Sequence, residues 1–207
     1  MTRTLREIEV KIPIVDTSGL IAKLGQMNAT CEGRVFEQNS LYDTPGDDYR
    51  RRGRLLRLRI KRPAPIDHLA GGRQQAVITS KAPAPASGSR YKERLERELV
   101  VSAPRRWPAR FVSLGFRQGF CYERYRTTFR LPGLHLEVDQ TPIGTFLELE
   151  GVPRAIDRAA RALGFSPRDY LQSTYGDLFQ AERRRRRLSA KNMRFLRKKF
   201  RQPALLP

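Results

Sequence analysis

The chain has 207 residues, 39% of them hydrophobic, which suffices for one substantial domain and needs no disulfide framework. Its formal charge of +20 is uneven: Arg183 to Arg201 holds eleven Lys or Arg and no acid, leaving a moderate basic excess that favours an anionic ligand without proving nucleic-acid binding. No run reaches the roughly 18 apolar residues of a membrane span, and the N-terminus lacks a secretory stretch, so a cytoplasmic location is expected.

Leu5 to Ile14, LREIEVKIPI, alternates Glu7, Glu9 and Lys11 with Ile8, Val10 and Ile12. In a strand these sets face opposite ways, so one face can bury itself while the other is solvated or lines a cavity. Asp16 or Thr17 can cap a helix over 19–27, with Leu20, Ile21, Leu24 and Met27 on its apolar side. A strand is predicted over 31–41, followed by a turn at YDTPGDD, 42–48, built on Pro45-Gly46. Arg54 to Lys61 reads as a strand with Arg57, Arg59 and Lys61 on one face.

Residues 62–73 read as a long loop, 74–81 as a strand and 82–89 as a flexible connection. Next, Arg94, Glu96 and Glu98 alternate with Leu95 and Leu99 in a strand ending near Ala103. A short helix is predicted over 107–115, stopped by Gly115. Three strands follow: 120–131, with Arg124 and Arg126 on one face; 134–140, with Glu137 and Asp139; and 145–150, with Glu148 and Glu150. Helices are predicted over 154–163 and 167–181.

About eight short strands in hairpin order, with no glycine-rich strand-to-helix loop, predict an α+β chain: an eight-stranded antiparallel β-barrel with peripheral helices. Cys31 and Cys121 have no CxxC spacing and are expected to be buried, reduced thiols. With only His68 and His135 to accompany them, a zinc centre or a Ser/His triad is disfavoured.

EIEVK alone is bland, since an amphipathic strand with Glu and Lys outside is commonplace. The set is less so. Acidic pairs at Glu7/Glu9, Glu96/Glu98, Glu137/Asp139 and Glu148/Glu150 accompany Lys11, Arg57, Arg59, Lys81, Arg124 and Arg126, a repetition expected of a closed barrel with an ionic lumen. Carboxylates provide hard oxygen ligands for Mg²⁺ or Mn²⁺, and the cations provide a cradle for phosphate. Opposed charges also keep the lumen paired when it is empty, because burying single ions is costly.

These motifs resemble those of the CYTH superfamily, or triphosphate tunnel metalloenzymes, which includes class IV adenylyl cyclases, thiamine triphosphatases and inorganic tripolyphosphatases. The resemblance runs over about residues 5–180. It is carried by ExExK at Glu7, Glu9 and Lys11, YDTP at 42–45, LRLR at 56–59, ITSKAP at 78–83, RLERE at 94–98, ERYR, GTFLELEG at 144–151 and STYGDLF at 173–179, in family order.

The resemblance implies that Glu7, Glu9 and Glu150 ligate a divalent metal, with Glu148 and Asp139 available to a second metal or to water. It implies triphosphate binding by Lys11, Arg57, Arg59, Lys81, Arg124 and Arg126, and less directly by Arg94, with Glu7, Glu9, Lys11 and Lys81 nearest the chemistry. The family commonly has lysine where Arg124 stands. Tyr175 and Asp177 match a family position near the barrel's end, but a tyrosine on an amphipathic helix is more often packing.

The resulting expectation is a Mg²⁺- or Mn²⁺-dependent enzyme on a triphosphate-containing small molecule, hydrolysing an inorganic or organic triphosphate. The alternatives are a class IV adenylyl cyclase making cyclic AMP and pyrophosphate from ATP, and a non-catalytic polyphosphate- or nucleic-acid-binding module. Thr4-Leu5-Arg6 stands where some class IV cyclases carry a His-Phe pair, which mildly favours hydrolysis. A homodimer is expected only because family members often pair. The expected division is a tunnel domain over 1–182 and a basic tail over 183–207. That tail reads either as a basic amphipathic helix meeting polyanion, nucleic acid or acidic lipid, or as a solvated extension.

Overall fold

The computed structural model describes residues 4–64, 73–85 and 89–196. Eight antiparallel strands close a barrel: β1 (Leu5–Ile14), β2 (Thr30–Asp43), β3 (Leu55–Pro63), β4 (Gln75–Pro83), β5 (Lys92–Val101), β6 (Arg117–Leu131), β7 (Leu134–Thr141) and β8 (Gly144–Gly151). Around the barrel they run β1-β5-β4-β3-β2-β6-β7-β8, with β8 pairing back to β1. Gly133, at φ 70°, supplies the left-handed residue of the tight β6–β7 turn.

Alternation decides what lies inside. Val10 and Ile12 of β1, Leu136 and Val138 of β7, and Leu147 and Leu149 of β8 point outward into the main hydrophobic core. Two helices cover them, α1 (Thr17–Gln26) and α4 (Pro153–Leu163), through Leu20, Leu24, Ile156, Ala160 and Leu163. Each large aliphatic side chain buried this way contributes about 1.5–3 kcal/mol. The charged alternates therefore fill the lumen. Asp16 caps α1 through the Gly19 amide at 2.9 Å, and Gly164, at φ 92°, ends α4.

Two shorter helices, α2 (Asp48–Arg51) and α3 (Trp107–Ser113), sit near the β2–β3 and β5–β6 connections. The predicted helix over 167–181 is broken. Residues 167–169 form one tight turn, and Leu171 then hydrogen-bonds the Lys11 carbonyl at 2.7 Å in an isolated bridge to β1. A fresh capping box, Thr174 with Asp177, starts α5 (Tyr175–Arg186). Cys31 is half-buried rather than buried, because it lies at the irregular start of β2; both cysteines are free.

The expected boundary at 182/183 falls inside α5, and no basic helix continues beyond Arg186 among the described residues. Arg187 adopts φ 53° and turns the chain. Strand β6 outruns β7, whose pairing stops at Tyr125–Gln140, and the chain around Met193 fills part of the gap. The Met193 amide donates to the Cys121 carbonyl at 3.0 Å, and the Glu123 amide donates to the Met193 carbonyl at 2.9 Å. Met193 is fully buried with Tyr122, Phe146, Tyr175 and Phe179, closing one end of the barrel with apolar and aromatic groups. His68 and Phe200 lie outside the described residues, as do parts of the predicted loop at 62–73, the connection at 82–89 and the end of the tail. Among the described residues no helix is long and apolar enough to cross a membrane.

Candidate active site

Strand order sorts the lumen charges. The contiguous strands β7, β8, β1 and β5 carry Glu137, Asp139, Glu148, Glu150, Glu7, Glu9, Glu96 and Glu98, an acidic wall. Strands β4, β3, β2 and β6 carry Lys81, Arg57, Arg59, Lys61, Arg124 and Arg126, a basic wall. Lys11, Lys92 and Arg94 are cations on the acidic side, and Glu37 is an acid on the basic side.

The walls are stitched most tightly at β6 and β7. Arg126 clamps Asp139 through Nε and Nη2 at 2.7 and 2.6 Å and also bonds Glu148 and Glu137. Arg124 donates to Glu37 at 2.8 Å and to Asp139 at 2.6 Å. Burial opposes both guanidiniums, yet the surrounding carboxylates hold their pKa values well above the ordinary value. Burial pushes up Glu148 too, but Arg126, Lys11 and Arg124 outweigh it and keep it well below the carboxylate range. Glu137 shares Arg126 with two other carboxylates, and its burial is not matched, so it is pushed up to about 7.

Near β1 the counter-ions are lysines. Lys81 reaches both Glu7 oxygens at 2.6 and 2.5 Å and Glu96 at 3.0 Å; Lys92 holds Glu9 at 2.7 Å. Burial raises Glu7 despite Lys81, with Glu9 and Glu96 adding repulsion, whereas Lys92 helps hold Glu9 below its ordinary value against burial. Glu150 stands opposite Glu9 in the β1–β8 register; burial, then Glu7 and Glu137, drive it to about 8. Lys11 is fixed from three sides, 3.2 Å from Glu148, 3.2 Å from the Ser173 carbonyl to which it donates, and 4.2 Å over the Tyr175 ring.

On β3 the contacts are looser. Arg57 and Arg59 are only 5% and 8% exposed, yet their nearest carboxylates stand 3.7 and 3.5 Å away. Arg57 takes Thr79 at 3.0 Å and Tyr122 at 3.4 Å, and Arg59 takes Asn39 at 3.3 Å. Burial and the adjacent Arg57 lower Arg59. Two buried donors here, Arg57 Nε and Asn39 Nδ2, meet no acceptor in the protein. Such groups cost about 1–3 kcal/mol each when left unmet; one buried acceptor on the same side, Glu37 Oε1, likewise makes no hydrogen bond.

The sequence-derived residues Glu7, Glu9, Lys11, Arg57, Arg59, Lys81, Arg124, Arg126, Asp139, Glu148 and Glu150 thus lie on the lumen face. Arg94 sits at the rim, opposite Glu7 in register but bonded to the Gly53 carbonyl. Asp139 and Glu148 are held by arginines and Glu7 and Glu9 by lysines, whereas Glu150, raised to about 8, is the carboxylate of this wall whose charge is least matched. Among the described residues no three His, Cys, Asp or Glu side chains form a ready-made metal site. Lysines hold Glu7 and Glu9, and a divalent cation would displace them. The donor chemistry, three carboxylates with Glu150 raised by burial and by Glu7 and Glu137, fits a hard cation.

Sequence reading missed Glu37, Asn39, Thr79, Lys92 and Tyr122 and left Tyr175 as packing. Tyr175 donates to Asp139 at 2.6 Å beneath Lys11, so it belongs to the site; burial, then Asp139 and Glu148, raise its phenol well above the ordinary value. Lys92 had a visible signal, lying two residues before Arg94 in the same alternation.

Residues 5–166 match the family model of the CYTH domain. The chain belongs to the CYTH family. No curated protein matches this CYTH chain. Among solved structures, a candidate adenylate cyclase from Vibrio parahaemolyticus is 16% identical with TM-score 0.69, covering 86% of this chain and 99% of its own. The PH1819 protein of Pyrococcus horikoshii is 22% identical with TM-score 0.70, again over 86% and 99%. A Hippeastrum protein, described as a candidate adenylyl cyclase with a dominant triphosphatase activity, is 17% identical with TM-score 0.57 over 88% and 96%. At these identities the likeness establishes the fold.

Proposed function

We propose that this CYTH chain is a divalent-metal-dependent phosphohydrolase that takes a triphosphate into the barrel lumen. One observation carries the reading: on β3 and β2 the buried donors Arg57 Nε and Asn39 Nδ2 have no acceptor, and they lie among arginines whose nearest carboxylates are 3.5 Å away or more. Phosphate oxygens meet that need, and guanidinium forks match them bidentately.

Lys11, Lys81 and Arg94 extend the cradle along the lumen, while Arg124 and Arg126 join it to the acidic wall. Glu7, Glu9 and Glu150 would hold Mg²⁺ or Mn²⁺, with Glu148 and Asp139 available to a second ion or to a water. Such a cation supplies charge neutralisation on the phosphoryl oxygens. Hydrolysis needs a water aligned on the terminal phosphorus and positive charge on the oxygens as the bridging bond breaks. The arginines provide that charge already oriented, and a wall carboxylate can orient the water.

The Hippeastrum protein, a candidate cyclase in which triphosphatase activity dominates, supports hydrolysis ahead of cyclisation. The test incubates the purified chain with Mg²⁺ or Mn²⁺ and tripolyphosphate, thiamine triphosphate or ATP, then separates orthophosphate, pyrophosphate and cyclic AMP. Metal-dependent orthophosphate release is expected. Cyclic AMP with pyrophosphate would favour the cyclase, and no turnover on any of the three would sink the enzyme reading.

A further inference from the structure

Where β4 runs into β5, a cavity of about 300 Å³ opens beside the tunnel. That size lies at the lower end of the roughly 300–1,000 Å³ typical of small-molecule sites. Its inner boundary is shared with the lumen: Lys92 lines it while holding Glu9 at 2.7 Å, and Arg94 lines it from the position opposite Glu7. The lumen is more open on this side, where the Lys92 and Lys81 side chains are 20% and 14% exposed against 2% for Arg124.

Beyond those two cations the lining changes character. Pro83, Ala84, Tyr91 and Gln172 are uncharged, and Glu93 is tied to Arg6. The Tyr91 ring is fixed in place: its hydroxyl donates to Asp157 at 2.8 Å, and Asp157 also accepts from Tyr170 at 2.9 Å. Gln172 is held through its amide nitrogen, which donates to the Ser89 carbonyl at 3.0 Å, and its carbonyl oxygen is an acceptor. A further phosphate would meet neutral groups and the Glu93 carboxylate there. A neutral ring bearing a hydrogen-bond donor would instead meet a fixed aromatic ring, proline rings and an amide acceptor.

We propose that this cavity is the subsite for the organic group of a triphosphate monoester, with Lys92 and Arg94 marking where phosphate ends and the organic group begins. The inference rests on the triphosphate reading above and narrows it from any triphosphate to an organic one. Gln172, Tyr91 and Ala84 then select the substrate without touching the reacting phosphorus.

The experiment compares ATP with tripolyphosphate in Mn²⁺, measuring both kcat/KM and calorimetric affinity for the full chain. Filling the cavity with Ala84→Trp should lower kcat/KM for ATP by about tenfold or more and leave tripolyphosphate unchanged, the scale at which pocket contacts discriminate. Gln172→Ala should raise KM for ATP with little change in kcat, and it decides the matter alone if the tryptophan variant does not fold. Equal losses on both substrates in Gln172→Ala, or unchanged ATP kinetics in a folded Ala84→Trp, would overturn the subsite and leave the tunnel reading standing. A wild-type chain that handles tripolyphosphate but neither binds nor turns over ATP would do the same. If it binds neither, both readings fall.

Discussion

The two halves of the barrel are built from the same alternating strands yet handle their charges differently. The basic wall is mostly guanidinium, with Lys61 and Lys81 as its ammonium groups, and Arg57 and Arg59 are held at 3.5 Å or more from any carboxylate. On the acidic wall the carboxylates near β1 are met by lysines, Lys81 and Lys92. The difference is one of exchangeability. A planar arginine fork keeps its geometry and charge whether or not ligand is present, whereas a single ammonium on a flexible stem gives up a carboxylate with little rearrangement. Under the proposed function the basic wall would meet phosphate with its geometry already set, and the lysines neutralising the acidic wall would give way to a cation.

The sharpest way to break this contrast is on the exchangeable side. Glu9→Gln keeps the shape and removes one ligand charge, so metal-dependent turnover is expected to fall on the order of 10²–10³-fold. Its circular dichroism spectrum should match the wild type. Turnover within a few-fold of wild type would show that the acidic wall near β1 is not where the metal acts.

The stitched side should respond in stability instead. Arg126→Met deprives Asp139, Glu148 and Glu137 of a shared cation, and an uncompensated buried charge costs about 3–5 kcal/mol. Urea unfolding should show that loss as a lower midpoint. A midpoint within experimental scatter of wild type would mean that the arginines near β7 are as replaceable as the lysines near β1.

How far this contrast could be read in advance depended on the strand. In the central stretches of β1, β3, β7 and β8 the period-two alternation is clean, because outward positions such as Val10, Leu58, Leu136, Val138, Leu147 and Leu149 are aliphatic and the inward ones between them are charged, so strand and lumen face were legible together. In β2, TCEGRVFEQNSLYD, polar residues fall on both faces, with Arg34 buried outside and Glu37 buried inside, and two register shifts interrupt the alternation. Glu37 and Asn39 were hidden there for that reason. Tyr175 was hidden for another: its role depends on the Thr174–Asp177 capping box and the Leu171 bridge, which set where α5 begins against the barrel. Composition marked 183–207 as a tail, but Met193 could be placed only once β6 was known to outrun β7.

At the closed end of the barrel both walls meet the aromatic plug. Met193 packs with Tyr122 and Tyr175, which in turn contact Arg57 and Asp139. Met193→Ala should cost about 2–5 kcal/mol, as for other large-to-small changes in a buried cluster. Deleting 183–207 would remove this anchor along with the basic charge, so loss of function in that truncation would not by itself reveal a polyanion-binding tail. A thermal midpoint unchanged by Met193→Ala would return 188–196 to the status of an appendage.

The smallest expected effect is the most specific to the acidic wall. Glu150 sits at about 8 in the folded chain, against an ordinary value of 4.5, because burial, Glu7 and Glu137 all disfavour its charged form. Between those two values the folded state holds a proton that the unfolded chain has released, so stability falls as pH rises and the loss is complete above about pH 8. In EDTA the melting temperature should therefore decline from pH 6 to pH 9, and Glu150→Gln should flatten the decline by removing the titrating group. With Mn²⁺ present the sign should reverse, since a cation on the ionised carboxylates binds more tightly as protons leave. Equal slopes for wild type and Glu150→Gln in EDTA would place the unmatched charge elsewhere in the lumen, with Glu137, pushed up to about 7 beside Arg126, as the next group to substitute.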